Sequence, residues 1–272
     1  MFNQSVTLNN GVKMPILGFG TFKVEDGEQT IEAVQYALEI GYRHIDTAAA
    51  YGNEESIGQV IKASGIPRNE IFLTSKVWNR DQGYESTLKA FETSLRKLQT
   101  DYLDLYLIHW PLDLNRETWQ ALEKLYAEEK IRAIGVSNFK EHHLTDLLEV
   151  AQVVPAVNQV EYHPRLMQES LSAYCKKQQI QLEAWGPLMQ GKIFQFDLMH
   201  DLAKKYNKTV AQIVLRWDIQ NNVVTIPKSI NPERIKSNAQ IFDFELADED
   251  MKLINSLNQE LRIGRDPDAP WT

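Results

Sequence analysis

The feature that most constrains the fold is a regular alternation of short apolar runs with segments of helical period. Eight runs follow one another along the chain, at residues 16–20, 44–47, 71–77, 102–110, 131–137, 156–161, 181–185 and 223–227. Strands that alternate with helices pair in parallel, and helices then cover the sheet. Eight such units predict an α/β fold of the (β/α)8 TIM-barrel type, which typically takes ~250 residues. We therefore expect one barrel domain over residues 1–272.

Helix signals support this alternation. Between the third and fourth runs, apolar residues recur at steps of three and four, namely Leu88, Phe91, Leu95 and Leu98. Asn53 is a candidate N-cap for the helix that follows the second run. Asn231 followed by Pro232 predicts an N-cap and a first helical position after the eighth run.

Three segments lie outside the barrel pattern. Residues 6–8 and 12–14 alternate around Asn9-Asn10-Gly11, which predicts an N-terminal β-hairpin. Residues 248–257 carry a capping residue and apolar positions of helical period, so we expect an extra C-terminal helix. The tail at 262–271 has no period and is either a lid over the strand ends or disordered.

Charge and composition exclude several classes of partner. A formal net charge of −8 with no basic run argues against nucleic acid or an anionic membrane. No secretory signal or apolar run of membrane-spanning length occurs, so we expect a cytoplasmic protein. The single cysteine, Cys175, excludes an internal disulfide. His142-His143 has no carboxylate or cysteine partner at ligand spacing, so no metal site is expected.

Four polar residues stand at or just beyond the carboxyl ends of the second to fourth runs, namely Asp46, Tyr51, Lys76 and His109. Barrel enzymes keep their reacting groups at this end of the strands. Neighbouring strands lie ~4.8 Å apart, so inward side chains from three of them can meet. Taken singly, such a lysine is usually solvated and such a histidine is usually packed at a rim. The coincidence of all four is what indicates a site.

The four residues together have a chemical logic. A phenol with a pKa of ~10 is a poor acid at neutral pH unless its anion is stabilised. The Lys76 ammonium could stabilise the Tyr51 anion, and the Asp46 carboxylate would keep Lys76 charged in a low-dielectric pocket. His109 could donate a second hydrogen bond to a carbonyl oxygen. Since no metal or activated nucleophile is evident, a hydride from a nicotinamide is the natural reactant.

The usual nucleotide-binding loops are missing. Gly18-Phe19-Gly20 lacks the third glycine of the dinucleotide fingerprint, and no Walker sequence occurs. A nucleotide must therefore be held by other means.

The chain resembles the aldo-keto reductase family along essentially its whole length. Five motifs follow that family's order and spacing: GYRHIDTA at 41–48 with Tyr51 after it, SKVW at 75–78, YLDLYLIHWP at 102–111, GVSNF at 135–139 and IPKS at 226–229. The resemblance implies a catalytic tetrad of Asp46, Tyr51, Lys76 and His109. It also implies NADPH-dependent carbonyl reduction in which Tyr51 donates the proton. The match is nearer to prokaryotic members, including the 2,5-diketo-gluconate reductases.

The resemblance also implies a cofactor site. Asp46 would belong to it, Ser137, Asn138 and Gln159 would hold the carboxamide, and Trp185 would stack on the nicotinamide. The remaining implied contacts are Thr21 in the first loop, Gly186, Leu188 and Gln190 along the pyrophosphate, and Lys228, Ser229, Ile230, Arg234 and Asn238 at the adenosine end.

Elementary electrostatics supports the adenosine end of this site. Lys228 and Arg234 are two cations beside a helix start capped by Asn231, which together form a phosphate site. Such a site favours NADPH over NADH; the alternative is an ordinary solvated loop. Two positions depart from the family pattern, because Ser237 replaces a common acidic adenine contact and Met189 replaces a common glycine.

By the same resemblance, aromatic residues line the substrate pocket, namely Phe22, Trp78, Trp110 and Trp271, beside His109. The short link from Pro111 to the helix near Glu117 implies an open pocket. We therefore expect a monomeric reductase of small aldehydes and activated ketones, such as methylglyoxal, diketo sugar acids or aromatic aldehydes. The alternative is a non-enzymatic, NADPH-binding redox-sensing subunit on the same fold, and the intact tetrad argues against it.

Overall fold

The N-terminal segment forms the predicted hairpin. The computed structural model describes residues 4–269, and in it strands β1 (Ser5–Thr7) and β2 (Lys13–Pro15) pair antiparallel, with Val6 opposite Met14. Gly11, at φ 86°, supplies the turn. Asn10 Nδ2 donates to the Arg132 carbonyl oxygen at 2.9 Å. The hairpin therefore lies at the amino-terminal end of the barrel strands.

The barrel itself is a parallel sheet in which each strand pairs with its neighbours in sequence. Its strands are β3 (Phe19–Gly20), β4 (His44–Asp46), β5 (Phe72–Val77), β6 (Leu103–Ile108), β7 (Ile131–Ser137), β8 (Val157–Glu161), β9 (Gln181–Trp185) and β10 (Val224–Thr225). A parallel bridge between Leu17 and Thr225 joins the first barrel strand to the last. The sheet therefore closes on itself, and the predicted (β/α)8 architecture is confirmed.

The closing strands are shorter than the sequence predicts. Gly18 N donates to Thr225 O at 2.9 Å, and Gly20 N donates to Pro227 O at 3.2 Å. Pro227 has no N–H to return, so regular pairing stops there. A Cβ on Gly20 would come within 2.6 Å of the Ile226 carbonyl oxygen, so only glycine allows this approach.

Helices cover the outside of the barrel. They are α1 (Glu28–Glu39), α2 (Glu54–Ala63), α3 (Tyr84–Leu98), α4 (Asn115–Ala127), α5 (Glu141–Leu148), α6 (Glu169–Lys177), α7 (Asp197–Tyr206), α8 (Val210–Gln220), α9 (Pro232–Ala239) and α10 (Asp248–Asn255). The extra helix α10 confirms the prediction for residues 248–257. None of the described helices is both long enough and apolar enough to span a bilayer.

Asn53 corrects one prediction. It precedes α2 as expected, but its side chain makes no capping bond. Instead it is buried, accepts from Thr47 Oγ1 at 2.8 Å and donates to the carbonyl oxygens of Thr21 and Val24 at 3.0 and 3.1 Å. A buried side-chain amide needs hydrogen-bond partners, and here both its oxygen and its nitrogen have them. Asn53 thus ties together the loops that follow β3 and β4.

Candidate active site

A buried lysine lies at the centre of the strand ends. Lys76 Nζ is 2.8 Å from both carboxylate oxygens of Asp46, 2.8 Å from the carbonyl oxygen of Thr47 and 3.4 Å from the hydroxyl of Tyr51. Lys76 is fully buried, and Asp46 is buried beside it. The ammonium therefore has protein acceptors in place of water, which a buried charge requires.

Strand register explains this convergence. Asp46 on β4 pairs with Thr74 on β5, and Lys76 follows two residues later on the same face. Tyr51 comes from the turn of 3-10 helix at Ala49–Tyr51 directly after β4, and Gly52 ends that turn at φ 75°. This tight turn places the Tyr51 phenol close to the end of β4, where Asp46 lies.

The charges of this cluster have clear signs. Burial alone would lower the pKa of Lys76, but the Asp46 carboxylate and the Tyr51 hydroxyl outweigh it, and the net pKa is raised. Lys76 therefore remains an ammonium. Burial raises the pKa of Tyr51 to about 12, although Lys76 opposes that rise. The predicted acidifying effect of Lys76 is thus present but smaller than desolvation, so the phenol retains its proton at neutral pH.

His109 follows β6 and faces Tyr51. The two ring centroids lie 5.7 Å apart, and the Trp78 ring lies 5.1 Å from the His109 ring. Burial, and then the charge of Lys76, holds the pKa of His109 well below its usual value. The imidazole is therefore neutral, and it can donate one N–H bond without carrying a positive charge.

Aromatic side chains surround these polar groups. The Phe22 ring is 53% exposed and lies 5.1 Å from the Tyr51 ring, whereas Trp110 is nearly buried beside His109. Trp78 is partly exposed. These three residues lie together as the sequence predicts, and Trp271 falls outside the described residues.

The residues expected at a carboxamide form one hydrogen-bonded group. Asn138, at φ 65°, donates through Nδ2 to the His109 carbonyl oxygen at 2.9 Å and to Ser137 Oγ at 3.1 Å. Trp185 Nε1 donates to Asn138 Oδ1 at 2.8 Å. Ser137 Oγ donates to the backbone oxygen of Gln159 at 2.8 Å. The structure thus brings these four side chains to one side of the tetrad, with the Trp185 ring partly exposed.

The loop after β9 has an unusual backbone. Gly186, Met189, Gln190 and Gly191 all have positive φ, at 66°, 53°, 52° and 91°. Met189 stands where the family often has glycine, and this conformation costs an ordinary residue about 1–2 kcal/mol. Its side chain is buried to 3% exposure, so packing offsets the strain. Leu188 is partly exposed and Gln190 is exposed along the same loop.

Two further sequence predictions, one of a cofactor contact and one of a helix cap, can be compared with the structure. Thr21 is buried, and its hydroxyl donates to the Asp46 backbone oxygen at 2.9 Å. It lies beside the tetrad, but this bond occupies its proton. Asn231 caps α9 as predicted, since its Oδ1 accepts from the Arg234 N–H at 3.1 Å.

The adenosine end of the expected site is a cationic helix start. Lys228 and Arg234 are exposed, and within residues 4–269 neither forms an ion pair. Ser229 is buried and its hydroxyl accepts from Asn231 N at 3.1 Å. The other expected contacts in this region are Ile230, which is 47% exposed, and Asn238, which is buried.

One site residue was missed by the sequence analysis. Glu183 on β9 is fully buried, and its Oε2 accepts from Gln159 Nε2 at 2.9 Å. The same nitrogen donates to Asp46 Oδ2 at 2.8 Å. The available signal was strand parity, because Glu183 shares a face with Trp185 two residues later.

The tail at 262–269 is held against the barrel. The backbone N–H groups of Ile263 and Gly264 donate to Glu161 Oε1 at 2.7 and 3.1 Å. A Cβ on Gly264 would come within 2.3 Å of the Trp185 ring, so only glycine fits there. The described part of the tail thus lies beside the expected nicotinamide position.

The tail also corrects the interpretation of His142-His143. Asp268 Oδ1 lies 3.0 and 3.2 Å from Nε2 of the two histidines, so a carboxylate partner exists that sequence spacing did not show. His143 Nδ1 accepts from the Lys140 backbone N–H at 3.1 Å. Nε2 of a neutral His143 must therefore carry the proton, which opposes metal coordination through that atom. Lys140 Nζ also binds Asp268, at 2.6 Å.

Comparisons with known proteins agree on one family. The profile of the aldo/keto reductase family matches residues 16–259. Glyoxal reductase of Bacillus subtilis (strain 168) is 60% identical over 266 residues, covering 97% of this chain and 96% of that protein.

Solved structures agree with this match. MGS-M4, an aldo-keto reductase from a Medee basin deep-sea metagenome library, superposes with a TM-score of 0.96 at 52% identity, over 98% of this chain and 100% of that one. A variant of Gox0644 in complex with NADPH superposes with a TM-score of 0.94 at 39% identity, over 99% of both chains. The chain therefore belongs to the aldo/keto reductase family.

Proposed function

We propose that this protein is an NADPH-dependent reductase of aldehydes and activated ketones in which the Tyr51 hydroxyl donates the proton. One observation carries the proposal: that hydroxyl lies 3.4 Å from a fully buried ammonium, which is itself bonded to Asp46. Family membership supports the reaction class, and the NADPH complex of Gox0644 supports the cofactor.

The residues divide the chemistry among them. Bound NADPH would supply the hydride. Tyr51 and His109 would donate hydrogen bonds to the carbonyl oxygen, where negative charge develops as the carbon is reduced. The Tyr51 proton would then pass to that oxygen, and the phenolate left behind would be stabilised by the Lys76 ammonium. Asp46 keeps Lys76 charged throughout, because it raises the pKa of the amine against the effect of burial.

The groups expected around the cofactor fit NADPH. The partly exposed Trp185 ring offers a stacking surface beside Ser137, Asn138 and Gln159. Beyond the loop after β9, the cations of Lys228 and Arg234 lack an acidic partner within the described chain. Cations that are not already paired are suited to a ribose phosphate.

Small, activated carbonyls are the substrate class that we propose. The similar glyoxal reductase acts, by its name, on a dicarbonyl. The link between β6 and α4 comprises only residues 109–114 here, so little chain can cover the pocket. Phe22, Trp78 and Trp110 add aromatic walls, which also suits aromatic aldehydes.

Loss of NADPH absorbance with a carbonyl panel tests this function. We expect turnover of glyoxal, methylglyoxal and 4-nitrobenzaldehyde. Comparison of the kcat/KM values then shows whether the dicarbonyls or the aromatic aldehyde is the better substrate. Tight NADPH binding without turnover of any of them would contradict the proposal and favour the redox-sensing alternative.

Removing a single cation tests the preference for NADPH. Arg234→Ala should raise the Kd for NADPH roughly tenfold, as expected for one charge-assisted phosphate contact, and should change the Kd for NADH less than about twofold. Fluorescence quenching measures both constants. Lys236→Ala removes an exposed cation from the same helix and is the control. Equal losses for the two cofactors in Arg234→Ala would count against a 2′-phosphate contact.

A further inference from the structure

A buried carboxyl group in the barrel has no part in the chemistry above. Glu183 lies inside β9 at 0% exposure, in register with Gln159 on β8 and with Val224 on β10. Its Oε2 accepts from Gln159 Nε2 at 2.9 Å. A carboxyl group in the interior is costly to bury, so this contact needs an explanation.

The bonds of Gln159 determine which way its amide faces. Its Nε2 donates to Glu183 Oε2 and, at 2.8 Å, to Asp46 Oδ2. A primary amide nitrogen has two hydrogens, so both are used. The amide oxygen, Oε1, accepts from no group between residues 4 and 269. If the amide turned over, its oxygen would face the Asp46 carboxylate, and Glu183 Oε2 would lose the N–H bond that it accepts.

We propose that Glu183 is a positioning residue, which fixes the Gln159 amide so that its oxygen accepts an N–H bond from the carboxamide of the nicotinamide. This inference rests on the proposed function, since it requires Gln159 to lie at the carboxamide. Asp46 by itself holds only one hydrogen of the amide nitrogen. Glu183 binds the second hydrogen, so the Gln159 amide can no longer rotate about its bond to Asp46.

The surrounding charges are compatible with this role. Glu183 interacts with Asp46 and His44 from β4, with Tyr51 from the turn after β4, with Lys76 from β5 and with Gln159 from β8. Burial, with the charge of Asp46, raises the pKa of Glu183 to about 8, against the Gln159 hydrogen bond and Lys76. Burial lowers the pKa of His44 to about 3, and its Nε2 lies 3.5 Å from Glu183 Oε1. At neutral pH Glu183 is therefore mainly protonated; Oε1, which has no hydrogen-bond partner among the described residues, can carry that proton while Oε2 accepts from Gln159.

Two oxidised cofactors test the assignment by binding alone. In the 3-acetylpyridine analogue of NADP, a methyl ketone replaces the carboxamide, so it has no N–H to donate. Quenching of tryptophan fluorescence gives the Kd of each cofactor. We expect the Kd of the wild type to be roughly tenfold lower for NADP than for the analogue, because only NADP can donate an N–H bond to Gln159. Glu183→Met keeps the volume but removes the second acceptor, so that only Asp46 still holds the amide, and the preference should fall to about twofold or less.

Three further variants separate the possible outcomes. Glu183→Gln keeps an acceptor and should retain the wild-type preference. A purely structural role for Glu183 would weaken both cofactors equally in Glu183→Met and leave the ratio unchanged, which would overturn the inference. Glu183→Thr cannot reach Gln159 and makes the same comparison should Glu183→Met fail to fold. Gln159→Ala removes the acceptor itself; if the wild type shows no preference, or Gln159→Ala keeps it, the error lies in the proposed carboxamide site and not in Glu183.

Discussion

Tyr51→Phe should lower kcat/KM for methylglyoxal by about 10³-fold, because it removes the only proposed proton donor within reach of the reacting oxygen. The ring, its contact with Phe22 and the packing against His109 all remain, so the Kd for NADPH should change less than about twofold. Steady-state NADPH oxidation and fluorescence quenching measure the two quantities.

A matched tyrosine controls for the loss of a hydroxyl. The Tyr126 hydroxyl on α4 accepts from Asn10 Nδ2 at 3.4 Å, at the hairpin and away from the strand ends. Tyr126→Phe should retain wild-type turnover. Comparable activity in Tyr51→Phe and the wild type would remove Tyr51 from the acid role, whatever the cofactor affinity.

Lys76→Met should have the second large effect, on both stability and activity. The ammonium bonds both oxygens of Asp46 at 2.8 Å, and both side chains are buried. Its loss leaves a carboxylate inside the protein without its cation, which costs about 3–5 kcal/mol of the free energy of unfolding. It also removes the charge that would stabilise the Tyr51 phenolate, so kcat should fall at least about 10²-fold. Urea unfolding and steady-state kinetics measure these losses.

An exposed lysine provides the comparison for stability. Lys130 pairs with Glu92 at 3.1 Å, and both side chains are exposed. Lys130→Met should change the free energy of unfolding by less than about 1 kcal/mol, because surface ion pairs contribute little. If Lys76→Met were equally mild, the buried pair with Asp46 would not stabilise the barrel.

The stabilising effect of Lys76 should also depend on pH in a defined direction. Its pKa is raised in the folded protein, and Asp46 is the main source of the increase. Stability from such a group is fully present below the unfolded pKa of ~10.4 and is lost as pH rises through the higher folded value. The difference in unfolding free energy between wild type and Lys76→Met should therefore stay constant across neutral pH and shrink only in strong alkali. A difference that disappeared near pH 7 would contradict a charged Lys76.

Much of the barrel follows from local sequence pattern. The bounds of β7 and β9, at 131–137 and 181–185, agree with the predicted runs residue for residue. The hairpin and the extra helix α10 also agree, because turn chemistry and helical period act over a few neighbouring residues. The lengths of the two closing strands, β3 and β10, were overestimated. Pro227 has no N–H and ends the strand pairing, whereas the apolar run in the sequence continues to that residue.

The cluster of Asp46, Tyr51 and Lys76 was also within reach of the sequence. Parallel strands end at one rim of a barrel, and strand parity says which side chains point inward. His109 follows from the same argument. These rules do not predict the pKa of each group. The pKa of Tyr51 depends on how far the folded pocket excludes water, and burial raises it by more than the Lys76 charge lowers it.

The sequence by itself determined the order of strands and helices, the rim at which the polar residues gather and, through its motifs, the family. Only the tertiary structure decided which distant groups meet: Gln159 with Asp46, Asp268 with His142, and Asn53 with two loops in place of a helix cap. The physical reason is that periodicity reports the neighbours along one element. Hydrogen bonds between strands and tails that are far apart in the chain depend on how those elements pack, and no spacing in the sequence records it.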